Sequence, residues 1–370
     1  MADPRERDGL LARSFAGASA PPDNDMVMAK PPLTIHLLVP GLLGPMPALA
    51  GAGQSPRFPL LERLLARARS RACPGEDLES VLFSLFGIPG DGHQNLPTAA
   101  YRRIGDGAEA DDRYWLQLTP VYLRPDQDRL LLFDVEDLDL ERHEAQELVE
   151  LFNSHFVDEG WQLEALHPHR WYLSLENPPD LKTYELADAF GRNMDLFLPR
   201  GEDGIRWHGV LNEIQMLFYQ SDVNERREQL GRGPVSGAWI SGGGRVSPGL
   251  STPANALYGD SPLLKGLARA SATPRAGLPE NAEALLGEER ELLVCYEALR
   301  RSVLCADPEE WLSRLDQFEI WLQPLGQALA ENRLQLNVYP CNGSMLQLDR
   351  RALRRFWKRT RPHLQRLESN

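Results

Sequence analysis

Asn224, Arg227 and Glu228, followed by Ser241 and the run Gly242, Gly243 and Gly244, are the residues whose types and spacing best suit chemistry. That chemistry is oxyanion binding. They belong to residues 223–244, VNERREQLGRGPVSGAWISGGG, with LLKGLARA following from Leu263. An arginine offers a planar fork to phosphate oxygens, and glycines let backbone N–H groups come close to an anion. The same spacing also suits a solvated helix end capped by Gly231, with a glycine turn demanded by packing alone. Spacing by itself leaves both readings open.

Other candidates carry less. His167 and His169, in HPHR, lie on one side of a possible strand with no third ligand evident, so a polar hairpin turn is expected rather than a metal site. Asp111, Asp112 and the run EDLDLERHE at 136–144 read as solvated loops and a helix start, where acids suit the helix dipole. Cys73, Cys295, Cys305 and Cys341 form no C-x-x-C pair, which points to reduced thiols rather than a zinc site or a disulfide framework. No nucleophile elbow, Walker A loop or dinucleotide fingerprint occurs.

Bulk properties narrow the partners. A formal net charge of -13 argues against non-specific nucleic-acid binding, because most of the surface repels a phosphate backbone. No apolar run approaches the roughly 20 residues of a membrane helix. The C-terminal run RRALRRFWKRTRPHLQR is locally basic and is expected to be a surface helix with Leu353, Phe356 and Trp357 as its apolar face.

The elements that would position these residues are those of an α/β layer fold. Residues 33–39 are almost wholly apolar, as in a strand covered on both faces, and Pro40-Gly41 ends them. Helices are expected at 58–69, with Pro59 in the first turn, and at 77–86. Between about 96 and 175 the texture changes to strands (YWLQLTPVYL, DRLLLFDVED, GWQLEALHPH, RWYLSLEN) around one clear helix at 141–156. Pro120 should mark an edge or a bulge. Residues 186–230 read as helical, 236–241 as a buried strand before a triple-glycine turn, 262–270 and 288–304 as helices, and 309–331 as one long helix or two joined near Pro324. Asn342-Gly343 joins two alternating runs as a hairpin. The expected organisation is a leader at 1–30, a discontinuous core at 31–95 and 181–370, and an α+β insertion at 96–180. Met26 and Met28 are alternative starts.

The central segment resembles the substrate-side motif of the archaeal-type, cofactor-independent phosphoglycerate mutases of the alkaline-phosphatase superfamily. That family carries V-N-x-x-R-E-x-x-G-x-x-P-A-N, then an apolar strand ending R-G-A-G. This chain matches at Asn224, Arg227, Glu228, Gly231, Pro234, Gly242 and Gly244, and departs at Ser236 and Ser241, where the family has Asn and Arg. The resemblance extends to LLVPGLLGP with SPRFPLLERLL, and to the stretch from YRRIGDGAE to EAQEL. It implies a mostly parallel sheet flanked by helices, with a small α+β insertion. It also implies metal ligands that this chain lacks at the matching positions. Pro40 stands for the first Asp, Gly44 or Pro45 for the next, and CADPEEWLSRLD has no histidine where a D-x-x-G-H cluster would lie. Ser55 is the candidate for the family's nucleophile, and without a metal its hydroxyl stays a poor one.

Trp239 before the glycines and the ending RRFWKR resemble the RpfE-type bacterial proteins in particular. The expectation is a cytoplasmic, non-catalytic regulatory or ligand-sensing protein with no metal or cofactor. Its partner would be a small phosphorylated metabolite or a protein, with neither nucleic acid nor membrane. The alternatives are a phosphotransfer enzyme with relocated ligands, marked by Asp, His or Glu gathered around Ser55, and a scaffold docking through Phe356 and Trp357.

Overall fold

A computed structural model describes residues 32–49, 56–88, 95–126, 129–132, 138–189, 194–252, 254–288 and 291–363. The expected leader and Ser55 lie outside these residues. The main sheet has seven strands in the order β10 (Arg275–Ala276), β9 (Ala256–Tyr258), β11 (Glu291–Cys295), β1 (Leu33–Leu38), β12 (Leu334–Tyr339), β13 (Ser344–Leu348) and β2 (Arg69–Ala72). The first five run parallel, and at one edge β13 pairs antiparallel with both β12 and β2. The α/β class and the mostly parallel sheet are as expected.

Alternate residues of β1 and β11 feed two cores, which is why these strands read as mostly apolar runs. Ile35, Leu37, Leu292 and Val294 face α1 (Pro59–Arg67) and α10 (Pro308–Ala330). Leu38, Leu293 and Cys295 face α2 (Leu78–Leu85) and α8 (Pro262–Ala270). Residues 288–304 are therefore not one helix. Glu291–Cys295 is a buried parallel strand, and only α9 (Arg300–Leu304) is helical. A short apolar run suits a covered strand as well as a helix, and here two flanking parallel strands decide it.

A separate antiparallel sheet has the order β6 (Gln162–His167), β7 (Arg170–Leu175), β3 (Tyr114–Val121) and β8 (Gly237–Gly244). One face packs on α4 (Arg142–His155) and α6 (Gly204–Tyr219) through Leu148, Phe152, Trp207 and Ile214. The other face meets α3 (Thr98–Gly105), a helix absent from the sequence reading, through Trp115 and Tyr172. Pro120 lies past the last β7 partner, where β3 pairs only with β8. His167 and His169 fall at the β6–β7 hairpin, as expected. β4 (Leu123–Asp126) and β5 (Arg129–Leu132) pair as a hairpin beside these layers. The fourth strand of this sheet comes from beyond residue 180, so the sheet draws on more of the chain than residues 96–180.

Backbone contact between helices joins the layers. A Cβ on Gly105 would lie 1.9 Å from the Pro262 carbonyl oxygen, and one on Gly266 would lie 1.7 Å from that of Tyr101. Gly266, in the middle of LLKGLARA, is thus where α8 touches α3. The expected basic C-terminal helix shrinks to α11 (Arg350–Leu353), and Phe356 and Trp357 are 82% and 65% exposed. Like charges at helical spacing, such as Arg350 with Arg354 and Arg351 with Arg355, oppose continuation of that helix. Among the described residues, no helix is long and apolar enough to cross a membrane.

Candidate functional site

The carboxyl ends of parallel strands, where α/β sheets receive ligands, gather charged side chains here. Glu79 sits in the first turn of α2, where the helix dipole favours an acid. Asp77 caps that helix by accepting from the Ser80 N–H at 2.6 Å. Arg300 follows β11 on α9, and its Nη2 donates to both Glu79 oxygens at 2.9 Å. Arg102 of α3 approaches from the other side, with Nη2 donating to Glu79 Oε1 at 2.8 Å. Its Nη1 donates to Glu185 Oε2 at 2.7 Å and to Gln117 Oε1, on β3, at 3.1 Å. Thr98 Oγ1 donates to Glu185 Oε1 at 2.6 Å. One carboxylate thus sits between two guanidiniums, and Arg102 ties α2 to β3 of the antiparallel sheet.

Burial alone would raise the Glu79 carboxyl, but Arg300 and Arg102 outweigh it and hold the group below its ordinary range. Acids around this pair shift the opposite way. Burial raises Glu297, two residues past β11, against the pull of Arg300 and a hydrogen bond with Ser261. Partial burial, then Asp77, Glu185 and Glu79, push Asp188 up to about 6 at the exposed rim, on α5 (Leu186–Ala189). Burial first, then Glu79, raises the Cys341 thiol, two residues past β12. Of these residues only Cys341 stands out in the sequence, and there only as a reduced thiol. Arg102 and Arg300 lie 23 and 221 residues from Glu79 along the chain, so no local pattern announces the group.

A divalent metal pair does not fit this centre. The central carboxylate is already neutralised by arginines, and β1 runs through Val39 into Pro40. Among the described residues, no group of three or more His, Cys, Asp or Glu converges to hold a metal ion.

The residues expected to bind an oxyanion are placed inward. Asn224, on α7 (Asp222–Gln229), donates through Nδ2 to the Phe218 and Val235 carbonyls at 2.8 Å and accepts from the Val235 N–H at 2.8 Å. All its hydrogen-bonding groups are spent on clipping the entry to β8. Arg227 is fully buried. It pairs with Glu144 of α4 at 2.7 Å and donates to the carbonyls of Gly233, at 2.8 Å, and Leu138. Glu228 points to solvent. Ser241 is buried within β8, and Gly242, Gly243 and Gly244 are strand rather than turn. Side chains at the three glycines would collide with Thr98, Tyr114 and Pro97 respectively. The halves of the motif therefore do separate packing work and form no open phosphate cradle.

No protein-family model matches the chain, and no curated protein matches it. Among solved structures, it is similar to the PH0037 protein from Pyrococcus horikoshii, with 13% identity over 86% of this chain and 88% of that one, at a TM-score of 0.48. It is also similar to a cofactor-independent phosphoglycerate mutase from Thermoplasma acidophilum, with 16% identity over 86% of this chain and 90% of that one, at a TM-score of 0.38.

Proposed function

We propose that the chain is a non-catalytic, phosphoglycerate-mutase-like protein with a regulatory or ligand-sensing role, of the RpfE type that its sequence resembles. The observation that carries this reading is Glu79 held between Arg102 and Arg300 at the carboxyl edge of the parallel sheet. Metal-dependent phosphoryl transfer at that edge needs carboxylates and imidazoles free to ligate hard cations. Arginines instead occupy the central carboxylate, and an internal acid fills the place between two guanidiniums that an external anion would take. A cytoplasmic location belongs to the same reading.

Elemental analysis of the purified protein tests it, together with a Mn²⁺ titration followed by thermal unfolding and with mutase and phosphatase assays in added metal. The expected result is no stoichiometric metal, no Mn²⁺ stabilisation and no turnover. Bound metal with turnover would overturn the reading in favour of an enzyme with relocated ligands.

A further inference from the structure

A cavity of about 210 Å³ lies between α6, the edge strand β8 and the segment at 194–199. It shares no residue with the charged centre. Helix α6 turns Trp207, Val210, Ile214 and Phe218 into the core. His208, Asn212 and Gln215, at the spacing of an adjacent helix face, line the cavity instead. Met194, Phe197 and Trp239 supply the apolar walls.

The polar groups are few and differ in availability. Trp239 Nε1 donates to the Tyr184 carbonyl at 2.9 Å, so the indole offers the cavity only its apolar surface. His208 Nε2 lies 2.8 Å from the Pro199 carbonyl, which can only accept. The proton is therefore on Nε2, and in the neutral ring Nδ1 is left as an acceptor. Among the described residues, the side-chain amides of Asn212 and Gln215 have no protein hydrogen-bond partner. Among the described lining residues there is no Lys, Arg, Asp or Glu.

We infer that this cavity is a binding site for a small uncharged molecule of one or two rings, with an apolar body and an amide, hydroxyl or carbonyl group. The body packs on Phe197 and Trp239, and the polar group meets the amides of Asn212 and Gln215. Size supports this class, since apolar cavities of roughly 150 Å³ admit a benzene ring. Charge supports it too. A carboxylate or phosphate entering here finds no cation among the described lining residues, and an unpaired charge taken out of water is strongly disfavoured. Apolar walls with a few convergent polar groups are the usual make-up of a small-molecule site. The inference goes beyond the non-catalytic reading and does not depend on it, because the cavity does not use the carboxyl edge of the parallel sheet.

The test uses the full chain with indole and benzamide as uncharged probes. Benzoate and phenyl phosphate are their charged counterparts, and binding is read by ligand-observed NMR and calorimetry. Indole and benzamide are expected to bind at millimolar concentrations or below, and the charged probes at least about tenfold more weakly. Asn212→Trp, at an exposed helix position, should block the mouth and abolish binding without disturbing the core. The double variant Asn212→Ala, Gln215→Ala should weaken benzamide more than indole. Equal binding of benzoate and benzamide would overturn the inference. So would unchanged binding in Asn212→Trp, or no detectable binding of either uncharged probe at several millimolar.

Discussion

Arg300 Nη2 stands 2.9 Å from both carboxylate oxygens of Glu79, and Glu79 is almost wholly buried. A carboxylate in that position is tolerable only because Arg300 and Arg102 both neutralise it, and each guanidinium in turn depends on it. Removing one member of such a group leaves a buried charge without its partner. Glu79→Gln keeps the shape and removes the charge. It should lower unfolding stability by about 3 kcal/mol or more, measured by urea denaturation near neutral pH. Loss of less than about 1 kcal/mol would mean that the pair behaves like an exposed surface bridge.

Two acids of this centre respond to pH in opposite senses. The Glu79 carboxyl is held below its ordinary value of 4.5, so the unfolded chain binds the proton more readily. Its contribution is present above that value and is lost as pH falls through the lower, folded-state value. Glu297 is raised above 4.5, chiefly by burial, with Arg300 and Ser261 opposing and Glu79 assisting. Its contribution is fully present below 4.5 and is lost as pH rises through the folded-state value. Glu297→Gln cannot ionise and should gain on the parent as pH rises from about 4 towards neutrality. Paired urea titrations at the two pH values would show this, and a difference that does not change with pH would refute it.

Much of the layered fold is legible from residue pattern, and the charged centre is not. Residues 33–39 announce a covered strand because all but Thr34 and His36 are apolar, and α1 and α2 are marked by Pro59 and Asp77 at their starts. Glu291–Cys295 escapes because five apolar-rich residues fit a helix or a strand until the neighbours are known. Helix α3 escapes because YRRIG offers only a short amphipathic stretch whose arginines face inward to acids on other elements. The glycines at 242–244 are demanded by packing, which is one of the two readings their spacing allows, but they lie in a strand and not in the expected turn. A strand takes glycine only where a neighbour comes close, and here Thr98, Tyr114 and Pro97 do so.

Gly266 and Gly209 form a contrast within helices. At Gly266 an added Cβ would lie 1.7 Å from the Tyr101 carbonyl oxygen, which belongs to the backbone of α3 and cannot rotate away. Gly266→Ala must push α8 off α3 and should cost about 3 kcal/mol. At Gly209, on α6, nothing lies within 4 Å, so Gly209→Ala should stabilise by about 1 kcal/mol through reduced backbone freedom in the unfolded chain. Thermal melts of the two variants should move in opposite directions, and a neutral Gly266→Ala would show that the helices separate readily.

Arg227 gives the sharpest separation between the motif's resemblance and its placement. As a phosphate clamp, it would leave stability nearly unchanged on truncation and abolish affinity for a phosphorylated metabolite. Its surroundings argue for the opposite. The side chain is fully buried, pairs with Glu144 at 2.7 Å and holds the Gly233 and Leu138 carbonyls. Arg227→Ala strands the nearly buried Glu144 carboxylate and two carbonyls, and should destabilise the protein by about 3 to 5 kcal/mol. Arg227→Lys should recover only part of this loss, because an ammonium cannot span three acceptors that a planar guanidinium reaches at fixed angles. Urea denaturation of both variants, with calorimetry using 3-phosphoglycerate on the parent and on Arg227→Lys, separates the two roles. A stable Arg227→Ala protein that has lost phosphoglycerate binding would return Arg227 to the ligand site. A severely destabilised one, from a parent that binds none, fixes it as the bolt between α7 and α4.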